Sequence, residues 1–233
     1  MDNENKNNMM LPVSIIVAAI LISGSIFLVV GNKNSNNPDG LAQVGAQVPA
    51  DVSKVTDQDV VLGDTKAPVS FIVYADYQCP FCGKLFSETE QPIIDTYVKT
   101  GKVKLVYRNY SFLGPESFAA AEAAEAAREQ SKFWEFHDAI YQAEIKDGKE
   151  NNGNLNRDLF LKIAANLKLD IKVFTAAIDS KKYADLIKKQ SEAANAAGIN
   201  STPAVFINDQ KIEGALPLDQ FKTVIDGILA KQK

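Results

Sequence analysis

The sequence predicts an α/β domain carried behind a single N-terminal membrane-spanning helix, and three observations predict it. A continuous β-branched and aromatic run, VSFIVYAD (69–76), reads as a strand buried on both faces, with a helix opening directly after it at CPFC (79–82). An alternating stretch, KVKLVYRNYSF (102–112), supplies a second strand, which a helical crossover would set parallel to the first. Strand character returns only at PAVFIN (203–208) and KIEGA (211–215), after a long block with helical spacing.

Residues 9–30, MMLPVSIIVAAILISGSIFLVV, carry no charge and as a helix would extend about 33 Å, enough to cross a bilayer's hydrocarbon core. A cleaved signal peptide has a shorter apolar region with a small-residue site close behind it, and VPA (48–50) lies too far downstream. The segment is therefore expected to remain as an anchor behind a short tail at 1–8. Charge does not orient it, because Lys6 and the amino terminus on one side are balanced by Lys33 on the other. Residues 31–58 are rich in Asn, Gly, Pro and small side chains without apolar periodicity and read as a flexible tether. The folded domain is expected at 59–233.

Within that domain, Pro80 suits the first position of a helix, where its missing amide has no intrahelical partner. The helix is expected to continue through GKLFSETEQPIIDTYVKT (83–100), to kink or break at Pro92, and to stop at Gly101. The helical block spans about 115–198 and contains ESFAAAEAAEAAREQ, KFWEFHDAIYQAEI, LNRDLFLKIAANLKL and KKYADLIKKQSEAANAAG. PAVFIN and KIEGA, joined by a short turn, read as an antiparallel hairpin, and LDQFKTVIDGILAKQ as the closing helix.

Composition excludes several functions. With 25 basic and 29 acidic residues and no stretch of five or six like charges, a nucleic-acid partner has no electrostatic basis. Two cysteines cannot staple a small secreted scaffold, so whatever Cys79 and Cys82 do, they do together. The only other Cys or His is His137, too few for a four-ligand zinc site, and Gly83 stands where a c-type haem would need His. No metal and no cofactor is expected.

Residues three apart on a helix share a face, close enough for a reversible disulfide. With Cys79 capping the helix, the unpaired amides near Phe81 and Cys82 point toward its sulfur and favour thiolate. Cys79, at the exposed tip of the turn, is thus the expected nucleophile. Cys82, one turn inward and desolvated, keeps a higher pKa and resolves the mixed disulfide. His137, among Phe133, Trp134 and Phe136, reads as core packing. DGKENNGN (147–154) lacks the acidic spacing of a calcium loop and reads as a solvated turn. NYS (109–111) and NST (200–202) match glycosylation acceptors.

ADYQCPFC after a buried strand, the helical block before the hairpin, and GINSTPAVFIND (198–209) leading that hairpin resemble the thioredoxin superfamily, and specifically its DsbA-like branch of anchored or exported thiol–disulfide oxidoreductases. The resemblance covers about 59–233 and implies a thioredoxin-like fold with an inserted helical block. It also implies that the Thr202-Pro203 bond is cis and that its loop lies beside the cysteines, where Thr202 and Pro203 would meet the substrate. The chain departs from the family at Val73, six residues before Cys79, where many relatives bury an acid that moves the resolving thiol's proton. Asp76 stands near enough to take that role, or is an ordinary solvated turn residue.

Pro80 and Phe81 add no cation between the cysteines, so the first thiol is expected below a free cysteine but not as low as in the strongest oxidants. Outside the cytoplasm disulfides persist and have to be made. The expectation is therefore a single-pass protein of the cell membrane with its catalytic domain on the extracytoplasmic side. It would oxidise cysteine-containing protein substrates and be served by a membrane redox partner. A reductase or isomerase fed through the membrane, and a non-catalytic substrate-binding module or holdase, are the alternatives.

Overall fold

A computed structural model describes residues 52–231 apart from 147. The expected tail, anchor and most of the tether lie outside the described residues, among which no helix is long and apolar enough to cross a membrane. The strands are β1 (Val60–Leu62), β2 (Val69–Ala75), β3 (Val103–Asn109), β4 (Ala204–Ile207) and β5 (Gln210–Glu213), in the order β1-β3-β2-β4-β5. β2 and β3 pair in parallel, Val69 opposite Val103 and Ala75 opposite Asn109, as the crossover predicts; the remaining pairs are antiparallel. β1 went unrecognised in the sequence, three half-buried residues being too short to show alternation.

Every residue of β2 is buried, which is why its sequence is unbroken apolar rather than alternating. Phe71, Val73 and Ala75 face one core layer, while Ile72 and Tyr74 face the other. The helix after β2, α1, begins at Pro80–Leu85 and continues without a break through Phe86–Glu90, Gln91–Ile93 and Ile94–Val98. Pro92 does not interrupt it, although the helix changes type on both sides of the proline. The segments on either side of Gln91–Ile93 are wider π-helical turns, which move the carbonyls away from the proline ring and remove the need for the missing N–H. Gly101, at φ 70°, ends the crossover as expected.

The helical block comprises α2 (Pro115–Arg128), α3 (Phe133–Glu144), α4 (Arg157–Asn166), α5 (Ile171–Asp179) and α6 (Ala184–Ala196); α7 (Leu218–Ala230) closes the fold. α5 is a helix of its own between the stretches quoted for the block. Asp170 starts it by accepting the Val173 amide at 3.0 Å. α2 is alanine-rich because its buried face packs closely against α3, α5 and α6.

Residues 52–58, assigned by composition to the tether, are docked onto the sheet instead. Arg108 on β3 pairs with Asp59 and donates to the carbonyls of Val52 and Lys54, while the Tyr74 hydroxyl also donates to Val52 O at 3.0 Å. Composition could not reveal this, because the clamp is made by backbone carbonyls that any residue supplies.

Candidate active site

β2 ends at Ala75 and α1 begins at Pro80, so four residues carry the chain from strand to helix. Asp76 fixes this turn. Its backbone carbonyl accepts the Cys79 amide at 3.1 Å. Its carboxylate accepts the amides of Gln78, Phe112 and Leu113 and the Ser117 hydroxyl, at 2.9, 2.9, 3.1 and 2.6 Å. Asp76 is fully buried, so the solvated-turn expectation is corrected: a strand-end carboxylate facing three backbone donors is worth burying. With its oxygens so engaged, it is a brace for the turn.

Cys79 caps α1 with Pro80 at the first helical position, as the sequence predicts. Its thiol donates to the Thr202 carbonyl at 3.4 Å, and the Thr202-Pro203 bond is cis, so the loop before β4 lies against the cysteine. That loop explains a correction: Cys79 is only 6% exposed, not an exposed tip, and the exposure belongs to Phe81 at 64%. The Cys79 thiol is nonetheless lowered to about 6. The hydrogen bond from Cys82 contributes most, joined by Thr202 and the amides of Cys82 and Phe81, against the opposing effect of burial. Cys82 is pushed well above the ordinary thiol range, first by desolvation and then by the bond and charge of Cys79. Both cysteines are free thiols in this structure. Thr202 also has a buried hydroxyl with no full hydrogen bond elsewhere.

Val73 is buried among apolar neighbours, so the acid missing from the sequence is missing from the site. Behind Cys82 stands a wall of rings: Tyr77 lies 5.3 Å from Tyr107 and 5.0 Å from Tyr141, and Phe86 stacks on Tyr141 at 5.1 Å. His137 fills the middle of this wall, 4.6 Å from Tyr107, with Nδ1 paired to Asp138 at 2.9 Å; it is the core residue the sequence predicts.

Gln78, absent from the sequence-based candidates, is buried beside Cys79. Its side chain accepts the Asn151 amide at 2.5 Å and donates to Ser117 at 2.8 Å, tying the loop at 151–155 to the site. Glu116 secures that loop through the amides of Gly153 and Leu155, so its exposed residues are pinned from beneath. Only Gln78's place next to Cys79 could have signalled this. Among the described residues no cluster of His, Cys, Asp and Glu could hold a metal. Asn109, in the first glycosylation pattern, is buried against Glu125 and Gln190 and closed to modification.

Beside Cys79 a cleft of about 270 Å³ runs between Pro80, Gly83 and Lys84 on one side and Ile145 on the other. Gly83 lets Ile145 approach closely there: a Cβ would stand 2.7 Å from Ile145 Cγ2, and the isoleucine side chain would have to shift. The arrangement can accept a sulfur at Cys79, hold charge there, and pass a bond to Cys82.

A family profile described as Thioredoxin matches residues 55–227. A probable disulfide bond formation protein D of Bacillus anthracis is 31% identical over 175 residues, covering 73% of this chain and 78% of that one. A Na(+)/H(+) antiporter, NhaA 3 of Salinispora tropica, is 30% identical over 194 residues, but the chain spans only 27% of its length. Among solved structures, oxidised BdbD from Bacillus subtilis superposes with a TM-score of 0.69 at 26% identity, over 81% of this chain and 98% of that one.

Proposed function

The chain belongs to the thioredoxin family, on its DsbA-like branch, and we propose that it is a thiol–disulfide oxidoreductase that makes disulfides in cysteine-containing protein substrates through a reversible Cys79–Cys82 bond. A substrate thiolate attacks the Cys79 sulfur, and the sulfur–sulfur bond breaks with its electron pair going to Cys82. A second substrate thiolate then attacks the mixed disulfide, leaving an oxidised substrate and a Cys79 thiolate. Thr202 and Pro203 meet the substrate: the backbone of their loop, beside Cys79, pairs with an extended segment next to the substrate cysteine.

One observation carries the oxidising direction, the Cys79 thiol at about 6. Such a sulfur is largely ionised at neutral pH, which favours the reduced form over that of a free thiol by on the order of 1 kcal/mol, or ~30 mV. An enzyme whose reduced form is favoured gives its disulfide away. Cys82, kept protonated, adds to this by slowly attacking the mixed disulfide, so substrates seldom escape unoxidised. A reductase or isomerase would use the same pair but would need the opposite bias. A holdase would need neither ionisation.

Residues 9–30 anchor the domain to the cell membrane in a single pass, behind the tail at 1–8, and the following residues tether it on the extracytoplasmic side. A membrane redox partner reoxidises the pair there. Equilibration with glutathione tests the direction: the couple is expected above about −200 mV, and a value near the −270 mV of reducing relatives would refute an oxidase. Cys79→Ser is expected to abolish exchange, and exchange surviving in that variant would refute the enzyme.

A further inference from the structure

The attack on the Cys79–Cys82 disulfide leaves a negative charge on Cys82, the sulfur least able to hold one. Cys82 is 1% exposed, and the acid that could manage its proton is replaced by Val73. The titratable groups around it, among the described residues, are Cys79, Asp76, Tyr77, Tyr107 and Tyr141, with His137 behind the rings. The Asp76 carboxylate is committed to four donors, and His137 pairs through Nδ1 with Asp138.

Tyr107 on β3 and Tyr141 on α3 differ from the others. Their hydroxyls lie 3.1 Å apart, and each also reaches a backbone carbonyl, Ala75 O for Tyr107 and Asp76 O for Tyr141, both at 3.4 Å. Bonds that long are weak and easily exchanged. Those two carbonyls are consecutive at the end of β2 and the start of the turn to Cys79, and Tyr107 stands in register with Val73 on β2. Tyr141 also stacks on Phe86, one turn along α1 from Cys82, so its ring is held on the face that carries the resolving sulfur. Burial raises both phenols most, and charge on Cys82 adds to each.

We propose that the paired hydroxyls of Tyr107 and Tyr141 are positioning groups that stabilise the departing Cys82 thiolate. As the disulfide breaks, the Tyr141 O–H turns from its carbonyl toward the sulfur while Tyr107 donates to Tyr141 in turn. No atom changes owner: one disulfide is exchanged for another, and the charge that leaves the substrate thiolate is held on Cys82 by a rotated hydroxyl. The donation is made only as charge develops, which lowers the barrier rather than merely strengthening binding.

This rests on the exchange reaction proposed above, and the test separates the two. The rate at which a model cysteine peptide attacks the oxidised protein would be measured for wild type, Tyr141→Phe and Tyr107→Phe, which keep the rings. In parallel, the Cys82 Cβ resonance would be titrated by NMR, and Cys79 alkylation followed against pH. Tyr141→Phe is expected to slow the attack about tenfold and move the Cys82 titration upward, with Tyr107→Phe doing less and the Cys79 midpoint staying put. Unchanged rates and an unmoved Cys82 titration in both variants would overturn the inference while leaving the exchange reaction intact. Equal displacement of both cysteines' titrations would also overturn it, marking general loosening of the ring wall. Failure of the wild-type protein to exchange at all would instead overturn the proposed function.

Discussion

The two sulfurs lie one helical turn apart, yet the regions in front of and behind them differ in kind. In front, Cys79 meets donors, the neighbouring thiol first, then the Thr202 hydroxyl and helix amides, which lower its pKa even though little water reaches it. Behind, Cys82 meets Tyr77, Tyr107, Tyr141 and the rings around them, and desolvation wins because few dipoles face it. Both sulfurs are shielded, Cys82 the more completely, so burial opens the difference and the groups that each sulfur faces widen it. The lesson is that one residue type in one motif is made into a leaving group and a reluctant nucleophile by unlike walls.

Asp76 holds the two walls apart, and removing it should break the comparison most severely. Asp76→Ala leaves the Gln78, Phe112 and Leu113 amides and the Ser117 hydroxyl without their acceptor in a buried turn. The expected loss is about 4 kcal/mol of unfolding free energy by denaturant titration, each stranded donor costing about 1–3 kcal/mol and the four not being additive. Loss of less than about 1 kcal/mol would mean that the carboxylate does not brace the turn.

The rear wall can be probed separately at Glu90, on α1. Burial raises this carboxyl from 4.5 to about 7, with His137 opposing and Asp138 adding to the shift. A carboxyl raised on folding contributes stability that is fully present below pH 4.5 and is lost as pH climbs through 7. Glu90→Gln, neutral at every pH, should therefore gain on wild type as pH rises, by up to about 3 kcal/mol at pH 8, and match it near pH 4. A difference between the two proteins that does not change with pH would show that Glu90 ionises as freely in the folded chain as in the unfolded one.

The same division explains what could be read in the sequence. Most of the front wall is local: the strand, Pro80 and the cysteine spacing leave a contiguous pattern, whereas the Thr202-Pro203 loop comes from 123 residues away and its place beside Cys79 was implied by the family resemblance. The rear wall is assembled from β3, α1 and α3, and nothing in KVKLVYRNYSF or KFWEFHDAIYQAEI says that Tyr107 and Tyr141 bring their hydroxyls together. Asp76 and Gln78 were in plain view beside Cys79, but their partners lie on distant segments, so their burial was invisible. β1 and the docked residues 52–58 escaped because the interactions holding them, a short ladder and Arg108 bonds to carbonyls, have no compositional mark.

The smallest expected effect sharpens the front wall. Thr202 touches both regions, since its hydroxyl favours thiolate at Cys79 and also at Cys82. Thr202→Val keeps the shape and the carbonyl but removes that donor. The Cys79 midpoint, followed by iodoacetamide rate against pH, should then rise from about 6 by less than one unit, because the Cys82 thiol and two helix amides remain. With less thiolate at neutral pH the reduced form loses part of its advantage, and the glutathione equilibrium should move toward the disulfide by less than ~30 mV. A rise of several units would instead make the hydroxyl, and not the helix terminus with its neighbouring thiol, the main source of the acidity of Cys79.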